Sequence, residues 1–193
     1  MYLFFDAVST RGYIWLFNSD KILQAEYFFA ASGNEGKELP GLIDMFLKQQ
    51  SVSYTEIQNI VCVVGPGSFT GIRMVSLVVN TLAYIYPHLT LTPISFFDLY
   101  TQYPIINTSS KKDLFVKWEK HATIEVVGKG DFEAHMRSLP HAPKYCYGNA
   151  SWGLWERTFF LEEQYVPSEV LQRTQIQTLK KLAPLYVKKP NIS

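Results

Sequence analysis

Cysteine is scarce. Cys62 and Cys146 are the two in 193 residues. They stand in apolar or aromatic surroundings with no metal-like spacing, so a disulfide framework and a thiolate metal site are excluded. Reduced, buried thiols of a cytoplasmic protein are expected. A dominant charge is also lacking: 18 Lys and Arg against 17 Asp and Glu leave a formal charge of +1, which gives no general attraction to nucleic acid, membrane or acidic substrates. The lysines at 111, 112, 117 and 120 and at 180, 181, 188 and 189 read as solvated faces, so any contact with nucleic acid is expected to be weak or indirect. Met1-Tyr2-Leu3-Phe4-Phe5 runs into Asp6 before it is long enough for a signal peptide or a membrane span. His88, His121, His135 and His141 are scattered and form no His/Cys/Asp cluster, so no metal is expected. No internal repeat or low-complexity segment is visible.

Aromatic residues, in contrast, are plentiful: 12 Tyr, 13 Phe and 4 Trp, a surplus of the kind found at interfaces. A chain of this length buries about 70% of its unfolded surface and needs no disulfide or structural metal. The pattern begins with three strands on short connections, Tyr2–Phe5, Tyr13–Phe17 and Ile22–Ala30, an antiparallel meander. Leu39, Leu42, Ile43, Phe46 and Leu47 recur at helical spacing and predict a helix over 36–50, with Pro40 near its regular start. A helical turn over 53–58 leads to a strand at Val61. A short strand follows at Thr90–Pro93, and then a helix that Ser95 can cap. Beyond Pro104 the pattern weakens. Strands are expected at 105–106, 114–118, 123–127 and 145–147, and helices at 131–139, from Glu169 behind a Ser168 cap, and at 174–182. The sum is an α/β layer with a mixed sheet. Two parts are expected, an N-terminal lobe over 1–104 and a C-terminal lobe and tail over 105–193.

The stretch from 61 to 86 organises the rest. Val61–Val64 reads as a strand, Gly65-Pro66-Gly67-Ser68-Phe69-Thr70-Gly71 as a glycine corner, and Ile72–Tyr86 as a helix. Ile72, Val75, Val79, Leu82 and Tyr86 make one apolar face, and Met74, Leu77, Val78, Ala83 and Ile85 cover most of the remainder. Only Arg73, Ser76, Asn80 and Tyr84 form a narrow polar stripe. Such a helix expects cover on nearly all sides, from its own chain or from a partner. The corner lacks the lysine and spacing of a Walker A loop and has one residue too many for a dinucleotide fingerprint. Three uses stay open for it: a tight strand-to-helix turn, an anion held by helix N-terminal amides, or a docking surface. Asp6 could face a metal or a phosphate-bound water, or close an Asx turn with Ser9 and Thr10. Ser68 is not in a Gly-x-Ser-x-Gly elbow, which argues against a hydrolase.

Val64-Gly65-Pro66-Gly67-Ser68-Phe69-Thr70-Gly71-Ile72-Arg73 closely resembles the signature of the bacterial TsaB family, also called YeaZ. Leu39-Pro40-Gly41-Leu42-Ile43 and Thr92-Pro93-Ile94-Ser95-Phe96-Phe97-Asp98-Leu99 are similar to that family's flanking segments. Tyr147-Gly148-Asn149-Ala150 and Pro184–Pro190 resemble its second lobe and tail. The resemblance implies an actin-like, Hsp70-like ATPase (ASKHA) fold of two lobes, the second reduced. It also implies a non-catalytic scaffold, without a cofactor of its own, that supports a TsaD-like subunit. That subunit threonylcarbamoylates the adenosine next to the tRNA anticodon, in a system that includes a TsaE-like ATPase. The family's two long N-lobe helices meet those of TsaD or of a second copy, so a homodimer is the other assembly implied. This chain departs from the family where small residues become Met74-Val75-Ser76-Leu77, where Asp-Thr-Ser becomes Asp6-Ala7-Val8-Ser9, and where Asp-Ala-Arg becomes Thr108-Ser109-Ser110. Glu35-Gly36-Lys37 also lacks the family's histidine.

The candidate interface comprises Leu39, Ile43, Phe46, Ile72, Arg73, Val75, Ser76, Val79, Asn80 and Leu82, beside the glycine corner of Gly65, Pro66, Gly67, Ser68, Phe69, Thr70 and Gly71. Core and partner remain alternatives for each apolar position, and Arg73 is placed at the interface edge. The rival readings are a small nucleotide-binding kinase or ATPase with Asp6 and the corner near phosphate, a glycopeptidase-like hydrolase, and a stand-alone homodimeric interaction protein.

Overall fold

The computed structural model describes residues 1–9, 11–30, 35–67, 69–138, 145–149, 160–162 and 165–187. They fall into two compact units, one of Met1–Phe96 with Val166–Leu185, the other of Phe97–Tyr165 with Tyr186–Ser193.

The first unit opens with the expected meander: β1 (Tyr2–Asp6), β2 (Arg11–Phe17) and β3 (Leu23–Ala30), paired antiparallel. Helix α1 (Glu35–Gln49) follows, then β4 (Asn59–Val63), helix α2 (Phe69–Ile85) and β5 (Thr90–Ile94). β4 joins β1, and β5 joins β4, both in parallel, giving a mixed sheet in the order β3-β2-β1-β4-β5. β4 is buried at every position, and its apolar run Ile60–Val63 is what a central parallel strand demands. Leu3, Phe5, Ile14, Leu16, Ile60 and Cys62 alternate onto the face that packs with Leu39, Ile43 and Phe46 of α1 and Val75 and Val79 of α2.

The second unit builds the same diagram from β6 (Ile105–Thr108), β7 (Asp113–Lys117), β8 (Glu125–Gly128), α3 (Lys129–Ser138), β9 (Tyr145–Asn149) and β10 (Phe160–Glu162). β6, β7 and β8 form an antiparallel meander, while β9 and β10 add in parallel on the other side, in the order β10-β9-β6-β7-β8. The chain therefore does hold a repeat, of topology rather than of residues. The core here is Ile106, Leu114, Val116, Phe132, Met136 and Cys146, with Trp118 stacked on Phe132 at 5.2 Å. Burial pushes the Cys146 thiol up to about 12, and that of the fully buried Cys62 further still, so both stay protonated.

Helix α4 (Pro167–Arg173) returns to the first unit. Its cap is Val166, with Pro167 in the first turn, so Ser168 lies inside the helix and is not the cap. The helix expected over 174–182 is absent. That segment runs extended along the free side of β5, where Leu179 bridges Leu91 with N–H to carbonyl distances of 2.8 and 3.3 Å. Side chains already in the sheet hold it open. Asn59 Nδ2 donates to the Gln177 carbonyl (2.8 Å), and Thr92 Oγ1 accepts from the Gln177 N–H (2.9 Å). These bonds use the groups a helix would pair internally, and propensity gives way to them. Ser95 is likewise followed by a short 3-10 turn, Phe96–Leu99, rather than a full helix.

A candidate docking face beside the glycine corner

Gly65 follows the end of β4 with φ +119°, a conformation open to glycine and costly for other residues. A Cβ there would lie 2.8 Å from the Leu185 carbonyl and 3.2 Å from Ile72 Cγ2. The space beside the corner is thus filled by the chain's own tail. Leu185 N–H donates to the Val64 carbonyl (2.9 Å), and Phe96 N–H to that of Gly65 (2.7 Å). This geometry fits the tight-turn reading. Pro66 and Gly71 are buried, Gly67 and Phe69 half-buried and Thr70 exposed, while Ser68 lies outside the described residues.

Asp6 is buried at the end of β1. One carboxylate oxygen accepts from the amides of Val8 (2.8 Å) and Ser9 (3.1 Å), and the other accepts from the Ser9 hydroxyl. Both oxygens close an Asx-type turn, the arrangement expected with Ser9; Thr10 lies outside the described residues. Among the described residues no group of three His, Cys, Asp or Glu is placed to hold a metal.

The candidate interface residues divide by burial. Leu39, Ile43, Phe46, Ile72, Val75 and Val79 lie inside their own chain, and Leu82 is partly covered against the same core. They position α1 and α2, which pack on each other, instead of facing outward. Ser76 is also buried, with no hydrogen bond to its hydroxyl among the described residues. Asn80 is turned to the tail: its Oδ1 accepts from Leu182 N–H (2.7 Å), and its Nδ2 donates to the Leu182 carbonyl (3.0 Å). Of the polar stripe read from the sequence, Arg73 and Tyr84 face solvent. The Arg73 guanidinium stacks 3.9 Å from the centre of the Phe69 ring.

The outward side of α2 runs through Thr70, Arg73, Leu77, Thr81 and Tyr84, spaced three and four apart on one face, with Ile85 beside it. Leu77 is 60% exposed, Tyr84 86% and Ile85 56%. Periodicity places Leu77 and Ile85 among the apolar positions of α2 and leaves their cover open; the missing signal lies far off in sequence, where Leu182 of the tail binds Asn80 of the polar stripe. At the end of α2, Tyr86 stacks on Tyr54 at 5.0 Å. Burial, then the nearby Asp44 and Tyr86, push the Tyr54 hydroxyl up to about 12. On α1, Gly41 is exposed, with open space where a Cβ would stand, between Glu38 and the Asp44–Lys48 ion pair (2.7 Å).

Residues 30–107, the stretch that holds both helices, match the family model of TsaD, tRNA N6-adenosine threonylcarbamoyltransferase. A solved structure named YeaZ from Pseudomonas aeruginosa superimposes with a TM-score of 0.66 at 15% identity, over 89% of this chain and 88% of that one. This is the YeaZ fold. A second solved structure, described as an uncharacterized protein with similarity to peptidase YEAZ from Pseudomonas aeruginosa, agrees at a TM-score of 0.71 and 15% identity, over 97% and 99% of the two chains. Among curated proteins no sequence matches. The likeness gives this chain the fold of those two structures, an α/β architecture of mixed sheets. Among the described residues, no helix of this YeaZ fold is long and apolar enough to cross a membrane.

Proposed function

We propose that the chain is a non-catalytic partner of a TsaD-like subunit in threonylcarbamoylation of the adenosine next to the tRNA anticodon. It acts in the cytoplasm by positioning and stabilising that subunit. One observation carries the reading: α2 presents Leu77, Tyr84 and Ile85 to solvent within the segment that matches the TsaD family. Neighbouring apolar side chains of this size mark a protein interface more readily than a catalytic cleft. The two units are read as the lobes of the actin-like fold, the second reduced. The first lobe docks through the outward sides of α1 and α2, and the buried interface candidates support it from beneath. A TsaE-like ATPase joins the same complex, tRNA is met mainly through the catalytic partner, and a homodimer through α2 is the competing assembly. Asp6 supports the scaffold reading over a kinase or ATPase, because its carboxylate is committed to its own loop.

The test is to mix the chain with the TsaD-like subunit of the same source and measure the mass in solution. A heterocomplex that Leu77→Glu abolishes, with the variant still folded, is expected. Two proteins that stay separate at tens of micromolar (about the range of a transient contact) would overturn the proposal. Tight ATP binding with turnover, measured by calorimetry on the isolated chain, would move the assignment to the enzyme reading.

A further inference from the structure

Two means hold the returning chain to the first unit. Helix α4 is held by apolar burial, through Val170 and Leu171, and Lys21 Nζ donates to the Leu171 carbonyl (3.1 Å) at its last turn. Residues 175–185 bury one side chain, that of Leu182. Hydrogen bonds hold them at Gln177 and Leu179, and three further points grip the stretch around α2. Lys180 Nζ donates to the carbonyls of Pro87 (2.8 Å) and Leu89 (3.0 Å), in the turn beyond the end of α2. Asn80, within α2, exchanges two bonds with the Leu182 backbone, and the Leu182 side chain joins the core that holds Val75 and Val79. Leu185 N–H reaches the Val64 carbonyl at the start of the corner. Residues 180–185 thus meet this stretch in reverse order, from the turn after α2 back to the strand before it.

We propose that residues 174–185 form a strap that opens and closes as one unit in the folded chain, and that a partner on α2 binds the closed state more tightly. The second half rests on the reading of α2 as the docking helix; the first does not. Hydrogen bonds near water each add little net stability, whereas buried apolar side chains come free only in wider unfolding. One buried leucine, against two neighbouring apolar residues in α4, puts the strap at the low end of the unit's stability. Its bonds open together, because they follow one another along a short segment that a single side chain anchors. Opening frees the Asn80 amide and vacates the place of Leu182 in the core that α2 packs on. Leu77 and Tyr84 stand three residues before and four after Asn80, so the loosened turns are those that carry the docking side chains. A partner fitted to the closed arrangement favours closure, and by linkage closure favours the partner to the same factor.

Amide hydrogen exchange on the full chain, at single-residue resolution, reads the strap. Leu91 is the reporter: it is fully buried, yet both its backbone groups bond to Leu179. Its amide should open with those of Gln177, Leu182 and Leu185, and be at least about tenfold less protected than the Val64 amide, which bonds to Ile94 of β5. Lys180→Met should lower the protection of these four strap-linked amides about three- to tenfold and leave Val64 unchanged. The TsaD-like subunit in excess should raise the protection of Leu91 about fivefold or more. Leu182→Asp, which holds the strap open, should weaken partner binding by that same factor while the rest of the unit keeps its exchange pattern. Should that variant unfold, the Leu91 measurement on the native chain decides alone. A Leu91 amide as protected as that of Val64 overturns the strap. A complex that forms with Leu91 protection unchanged overturns the coupling and leaves the docking reading standing. Two proteins that stay separate overturn the docking reading and the coupling together.

Discussion

The inward and outward sides of α2 are both rich in apolar residues, yet one is closed and the other open. Val75 and Val79 fill the space between sheet and helices and Ile72 is buried beside Gly65, whereas Leu77, Tyr84 and Ile85 are exposed. Hydrophobicity along a helix therefore has two causes, core packing and association, and the covering element separates them. Four substitutions test this division. Val79→Glu buries an unpaired carboxylate and should cost on the order of 4 kcal/mol or more, read as loss of cooperative unfolding in urea. Leu77→Glu should shift folding stability by less than about 0.5 kcal/mol while weakening partner association by about 2 kcal/mol. Calorimetric titration against the TsaD-like subunit, beside the same urea curve, reads both effects. Equal loss of stability in the two variants would erase the distinction between the sides.

Asn80 lies between them. Asn80→Ala removes the partner of both backbone groups of Leu182 and should destabilise by about 1–2 kcal/mol, with hydrogen exchange rising first over 175–185. The smallest effect belongs to α1. Gly41→Ala meets no neighbour and should raise stability by about 0.5–1 kcal/mol in thermal unfolding. If the partner packs closely over α1, the same methyl should weaken the complex. A gain in both would place the partner elsewhere.

Much of the first unit was legible because its signals are local. The alternation over 13–17, the helical spacing of Leu39, Ile43 and Phe46, and the strand–glycine–helix order at 61–86 each name an element without help from distant residues. The interface was less legible. Whether Val75 or Leu77 faces out depends on α1, on the sheet and on a tail a hundred residues later. The same tail defeated the helix expected over 174–182, since its backbone is held by Asn59, Thr92 and Asn80, which no window on the tail contains. The repeated topology was hidden for a related reason: strand order follows from pairing, and β6–β8 share no residue pattern with β1–β3 that betrays it.

The division of the first unit between Met1–Phe96 and Val166–Leu185 has a consequence for biosynthesis. A ribosome adds about 5–20 residues per second. The nascent sheet therefore waits several seconds with its β5 edge bare, until residue 179 emerges to shield Leu91. A chain truncated within the second unit would leave the backbone groups of Leu91 at that edge without the bridge from Leu179.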